Sequence, residues 1–209
     1  MNQALSGCKP AAIILAAGFS SRMGLLKPLL VANGKTFLAH AAQTFLDAGI
    51  STILVVTGHQ APLVEAEARR LGLLYRRNTH YAEGMYTSIC TGIEALASIS
   101  PEVPGVFLLP VDIPFVAPDT IRCLWQHAVR LPGNVLVPCK SGMSGHPPYL
   151  PRTQFASILS WRGPDGLQGL LASGVVPVAA IEVSDAAILQ DYDNPEDLQF
   201  LPANKSDLP

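Results

Sequence analysis

A chain of 209 residues that is 49% hydrophobic and only 14% charged can fill a sizeable single core, which argues against a disordered protein. Its net charge of −2, with no basic run, leaves out a nucleic-acid partner. No apolar stretch approaches the ~20 residues of a membrane span.

Residues 1–10 carry no apolar segment of secretory type, so no targeting segment is expected. Residues 11–17 are an unbroken apolar run and predict a buried strand. The run stops at Gly18, and Ser20, Ser21, Arg22, Gly24 and Lys27 follow within ten residues. Small residues let backbone N–H groups approach phosphate oxygens, and Arg22 and Lys27 add fixed positive charge. Neither common phosphate loop is present: Gly18 and Gly24 do not fit G-x-G-x-x-G, and Pro28 follows Lys27 where a P-loop needs Ser or Thr. On these residues alone, a triphosphate-binding loop and an ordinary glycine-rich strand–helix connection both stay open. As a loop residue, Lys27 is expected to be mostly solvated.

Phe37, Leu38, Ala41, Ala42, Phe45 and Leu46 recur with helical spacing. A strand at 52–57 follows, then a helix opened by Pro62 with Leu63, Val64, Ala68 and Leu71 along one side. Residues 73–75 predict a short strand, and a helix capped by Thr87 or Ser88 runs to about Ile99. A strand at 106–109 precedes a helix from Pro118 that turns Ile121, Leu124, Trp125 and Ala128 inward. Further on come a strand at 135–137, a loop at 142–148, helices at 153–160 and 165–173, a strand at 175–181 and a short helix from Pro195. This alternation predicts an α/β fold of three layers, a mostly parallel sheet flanked by helices. Residues 1–209 are read as one domain, frayed at 1–9 and 204–209. Ligands of such sheets sit beyond the carboxyl ends of the strands.

Two carboxylate segments lie at such places. Asp112 ends the strand at 106–109, held between Pro110 and Pro114. It can bind a hard cation such as Mg²⁺ or simply make a turn. Asp191 and Asp193 alternate ahead of Pro195, so in extended backbone they face one side. Asp193 or Asn194 can instead cap the following helix. Asp191-Tyr192-Asp193 also has the form of a glycosyltransferase D-x-D, a reading that would leave the Arg22 and Lys27 loop without a role. Ser88, after Gly84, can cap a helix or bond a base edge. His146, in Gly145-His146-Pro147, can meet an acceptor phosphate or be a solvated loop residue. Cys8, Cys90, Cys123 and Cys139 are scattered, which reads as reduced thiols of a cytoplasmic protein. Cys123 and His127 are four apart but lack two further zinc ligands.

The run Leu15-Ala16-Ala17-Gly18-Phe19-Ser20-Ser21-Arg22-Met23-Gly24 with Lys27 resembles the L-A-A-G-x-S-x-R-M-G-x-x-K signature of the molybdenum-cofactor nucleotidyltransferases. Ala16-Ala17-Gly18 looks like the cytidylyl branch, whereas the guanylyl branch more often has L-A-G-G. The segment around Asp112 is similar to the family's P-V-D-x-P, and Asp191–Asp197 to its D-x-D-T-P-E-D, with Asn194 replacing Thr. Asn78 to Ser88 resembles N-x-x-x-x-x-G-M-x-x-S, with Tyr86 where a small residue is common. Residues 162–166 depart from the usual acceptor segment.

The resemblance implies a Rossmann-like nucleotidyltransferase fold and Mg²⁺ on Asp112 and Asp193, with Asp191 less defined. It implies a nucleotide held by Leu15 to Gly18, Ser20, Ser21, Arg22, Gly24, Lys27, Gly84 and Ser88, with Arg22, Lys27 and Asp112 catalytic. The acceptor, of molybdopterin type, would meet Gly145 and His146. CMP transfer from CTP is favoured over GMP transfer from GTP. Another phosphorylated acceptor, or a non-catalytic carrier serving a molybdenum hydroxylase client, are the alternatives.

Overall fold

The structure is a computed structural model, and it describes residues 8–19 and 26–200. In chain order these form β1 (Ala11–Ala16), a hairpin of β2 (Val31–Ala32) and β3 (Lys35–Thr36), α1 (Phe37–Asp47), β4 (Ile53–Thr57), α2 (Ala61–Arg70) and β5 (Leu74–Arg77). Then come α3 (Met85–Ile99), β6 (Gly105–Pro110), α4 (Pro118–Arg130), β7 (Val135–Lys140), β8 (Met143–Ser144) and β9 (Tyr149–Pro151). The last elements are α5 (Phe155–Ser160), α6 (Gly166–Ala172), β10 (Val178–Glu182) and a 3₁₀ turn at Pro195–Phe200.

The main sheet runs β10-β7-β9-β6-β1-β4-β5, with β8 paired on β7. The pairs β1/β4, β1/β6, β4/β5 and β7/β10 are parallel, while β9 lies antiparallel between β6 and β7. β1 is therefore central, with every side chain buried. Its alternation divides the core: Ala12, Ile14 and Ala16 join Phe37, Phe45, Leu124 and Tyr192 on one face. Ala11, Ile13 and Leu15 join Ile89, Ile93, Ile158 and Leu170 on the other. The expected three layers are present.

Several boundaries differ from the sequence reading. Leu63 is exposed, because α2 turns Ala61, Val64, Glu65 and Ala68 inward and Leu63 lies a helical step aside. Glu65 tolerates its burial by accepting two bonds from Arg77, at 2.8 and 2.9 Å, and one from the Thr57 hydroxyl at 3.1 Å. Neither Thr87 nor Ser88 caps α3. Its N-cap is Gly84, whose φ of 114° only glycine adopts freely. The final strand begins at Val178 rather than Val175, which is exposed. β9 was not anticipated, since three apolar residues after a proline-rich loop carry no readable period.

Candidate active site

Three parallel strands deliver their carboxyl ends to one place. β1 ends into Ala17-Gly18-Phe19, β4 into Gly58-His59, and β6 into Val111-Asp112. Backbone bonds tie these ends together: Val111 donates to the Leu15 carbonyl and His59 to the Ala17 carbonyl, both at 3.1 Å. Leu15, Ala16, Ala17, Gly18, Lys27, Gly84, Ser88 and Asp112 line one cleft of about 320 Å³. Ser20, Ser21, Arg22 and Gly24 lie outside the described residues.

The Asp191–Asp193 segment is brought beside β6 by Tyr192. Its backbone N–H donates to the Asp112 carbonyl at 3.0 Å. Its ring is 1% exposed and meets Phe37 and Phe115 edge-on at 5.6 and 5.5 Å. With Tyr192 turned inward, Asp191 is exposed and Asp193 half-buried. Asp197 reaches back to accept from the N–H groups of Asp193 and Asn194, at 2.8 and 2.7 Å.

The Asp193 carboxylate meets Lys27. The Lys27 ammonium donates to Asp112 Oδ2 at 3.2 Å and also to Asp193 Oδ1. Lys27 is not the solvated loop residue its sequence position suggested, since its side chain is 12% exposed. Burial lowers its pKa, but the Asp193 and Asp112 carboxylates outweigh that and hold it above the usual lysine value. Two carboxylates that converge on one cation are a fitting donor set for a hard divalent ion completed by substrate phosphates. No cluster of three or more His, Cys, Asp or Glu side chains suited to a metal occurs among the described residues.

Gly145 and His146 line a second, larger cavity of about 850 Å³. It adjoins the first through Leu15, Gly84, Met85 and Pro110. His146 is not a solvated loop histidine. Its backbone N–H donates to the Ile188 carbonyl at 2.9 Å, and its Nδ1 is buried with no hydrogen-bond partner among the described residues. Burial pushes the imidazole below the ordinary histidine pKa, against the opposing pull of Asp112, the Leu108 carbonyl and Asp191. Tyr86 fills part of this cavity wall and donates to the Ile158 carbonyl; burial raises its phenol pKa to about 12.

Sequence reasoning did not anticipate an aromatic group at the mouth of the smaller cleft. The Phe19 ring lies 5.2 Å from both His59 and Tyr81. Nor did it pick out Gly58, where a Cβ would come within 2.7 Å of Tyr81 and 2.8 Å of Ala17. A glycine directly after a buried strand was the available signal, the same one that marked Gly18.

Residues 12–178 match the model of the MobA-like NTP transferase domain. The molybdenum cofactor cytidylyltransferase of Escherichia coli (strain K12) is 29% identical over 186 residues, covering 88% of this chain and 91% of that protein. The crystal structure of Rv0371c from Mycobacterium tuberculosis H37Rv is similar with a TM-score of 0.77 and 28% identity, over 93% of this chain and 97% of that one. A structure of Rv0371c in complex with manganese gives a TM-score of 0.71 and 26% identity, over 92% and 97% of the two chains.

Proposed function

The chain belongs to the MobA-like NTP transferase family, and from that premise we propose that it transfers CMP from CTP to a phosphate of a molybdopterin-type acceptor. It is a nucleotidyltransferase; the nucleotide, acceptor and metal are the proposed parts. The observation that carries the reading is the convergence of Lys27, Asp112 and Asp193 beside the Gly18 loop. The cytidylyltransferase relative supports the choice of CTP and of acceptor.

An acceptor phosphate oxygen would attack the α-phosphorus, and the bond to the β-phosphate oxygen would break to release pyrophosphate. The attacking oxygen already carries charge, so no strong base is required, and catalysis is alignment and neutralisation. Asp112 and Asp193 would hold Mg²⁺, which when bound offsets charge on the phosphates. Backbone N–H groups of the Gly18 loop, with Arg22 and Lys27, would hold the triphosphate. The acceptor would enter the larger cavity, where the buried His146 Nδ1 is available to it. Its recognition rests on shape and hydrogen bonding there. A molybdenum hydroxylase client draws no support from the geometry or the relatives. No helix of the described residues is long and apolar enough to cross a membrane. The scattered cysteines, read as reduced thiols, support a cytoplasmic enzyme.

The deciding experiment incubates the protein with each nucleoside triphosphate, Mg²⁺ and molybdopterin and identifies any dinucleotide by mass. Absence of pyrophosphate with every triphosphate would instead favour a non-catalytic carrier. CTP should be used over GTP by at least about tenfold, roughly 1.4 kcal/mol, because Ala17 and the Gly84–Ser88 segment narrow the cleft. Equal use would remove the cytidylyl assignment and leave the transferase. Gly58→Ala should weaken triphosphate binding about tenfold, since its Cβ pushes both Ala17 and Tyr81 into the cleft. Calorimetric titration reads this, and wild-type affinity would show that the strand ends need no such close fit.

A further inference from the structure

Asn78 is 2% exposed and Ser88 3%, yet both are polar. Each therefore owes an account of its hydrogen bonds. Asn78 follows β5, and its backbone N–H donates to the Thr57 carbonyl at 2.8 Å. Its side-chain oxygen accepts from the His80 backbone N–H at 2.8 Å. That bond settles which way the amide points, because a backbone N–H cannot be met by the amide's NH₂. The NH₂ group must then face the other way. It donates one hydrogen to Thr87 Oγ1 at 2.8 Å and the other to Ser88 Oγ at 2.9 Å. Thr87 can only accept there, since its own hydroxyl is directed at the carbonyls of Gly84 and His80, at 2.9 and 3.0 Å.

The consequence falls on Ser88. A serine hydroxyl has one hydrogen to give and two lone pairs with which to accept. Here the Asn78 amide occupies an acceptor position on the oxygen, and the hydroxyl hydrogen has no acceptor among the described residues. Ser88 also lines the smaller cleft beside Gly84. We propose that Asn78 is a positioning residue that fixes Ser88 as a hydrogen-bond donor toward the nucleobase. This rests on the reading of the smaller cleft as the nucleotide site. A donor so fixed recognises a lone pair, such as a carbonyl oxygen or an unprotonated ring nitrogen. Cytosine presents two in succession, at O2 and N3. Guanine presents N–H groups at N1 and N2 along the corresponding edge. A buried donor left facing an N–H discriminates strongly, because neither group can turn to water.

Asn78→Asp tests this with little change of shape. One carboxylate oxygen still accepts from His80, and the other accepts where the NH₂ gave, so the Ser88 hydroxyl turns toward it. Binding of CTP, GTP and inorganic triphosphate is measured by calorimetry for wild type, Asn78→Asp, Ser88→Ala and the double variant. Each single change should weaken CTP at least tenfold, leave inorganic triphosphate within twofold, and shrink the CTP-to-GTP ratio. The double variant should lose no more than Ser88→Ala alone, since Asn78 acts through Ser88. Asn78→Ala, which buries no charge, repeats the cycle should the aspartate variant not fold. Additive losses, or inorganic triphosphate weakening in parallel, overturn the proposal and make Asn78 a structural residue. Ser88→Ala binding CTP as wild type does overturns it differently, by removing the base contact itself.

Discussion

Lys27→Met should slow turnover by roughly a hundred- to a thousandfold, about 3–4 kcal/mol of transition-state stabilisation, the scale on which a single preorganised donor acts. The same change should tighten divalent-metal binding measured without nucleotide. The two effects have opposite signs because Lys27 has two positions to fill. Without substrate its ammonium lies between Asp112 and Asp193, where a divalent ion must compete with it. With triphosphate bound, the proposed role needs that charge on the phosphates. The thioether fills most of the buried space of the lysine stem but competes for neither carboxylate. The ligand-free variant should also unfold earlier, since the two carboxylates lose a charge-assisted partner worth about 1.5–3 kcal/mol. At this chain length that corresponds to a fall of several degrees, at about 2–4 °C per kcal/mol. Metal titration by calorimetry, thermal unfolding and steady-state kinetics separate the three. Metal affinity that stays at the wild-type value would show that Lys27 does not occupy the cation's place.

The parallel core was readable because buried strands leave continuous apolar runs. Residues 11–16, 53–57 and 105–110 are all three fully buried and were all anticipated within a residue or two. The fold's short pieces were not. β9 and the β2/β3 hairpin span two or three residues each and are stabilised by their neighbours, so no local period marks them. In the site, Gly18, Asp112 and Asp193 were visible because a strand end and flanking prolines fix where their backbone goes. The Lys27 pairing was invisible, because it joins residues 85 and 166 positions apart in the chain. Ser88 illustrates a subtler limit. Local sequence favours a cap, yet Gly84 takes that place by its positive φ, and Asn78 then claims the serine. Composition carries no trace of which way an amide points.

Asp112→Asn should abolish measurable transfer while leaving a folded protein. The asparagine keeps the shape of the side chain and an oxygen for Lys27, but not the charge that would hold Mg²⁺. From the sequence, with two like charges side by side, this variant is expected to melt at or above the wild-type temperature. The structure reverses that sign. Lys27 lies between the carboxylates, so neutralising one removes an attraction rather than a repulsion. The Asp112 side chain is 26% exposed, which places the loss at about 1 kcal/mol or less, a few degrees of melting temperature at most. Tyr192 stays docked, because it donates to the Asp112 backbone carbonyl and not to the carboxylate. Asp193 therefore keeps its place, and the variant isolates charge from geometry. Divalent-metal binding by calorimetry should fall at least tenfold, and excess metal should fail to restore the rate. A variant that melts slightly early, binds metal normally and still turns over would move the metal away from Asp112 and leave Asp112 as a partner of Lys27 alone.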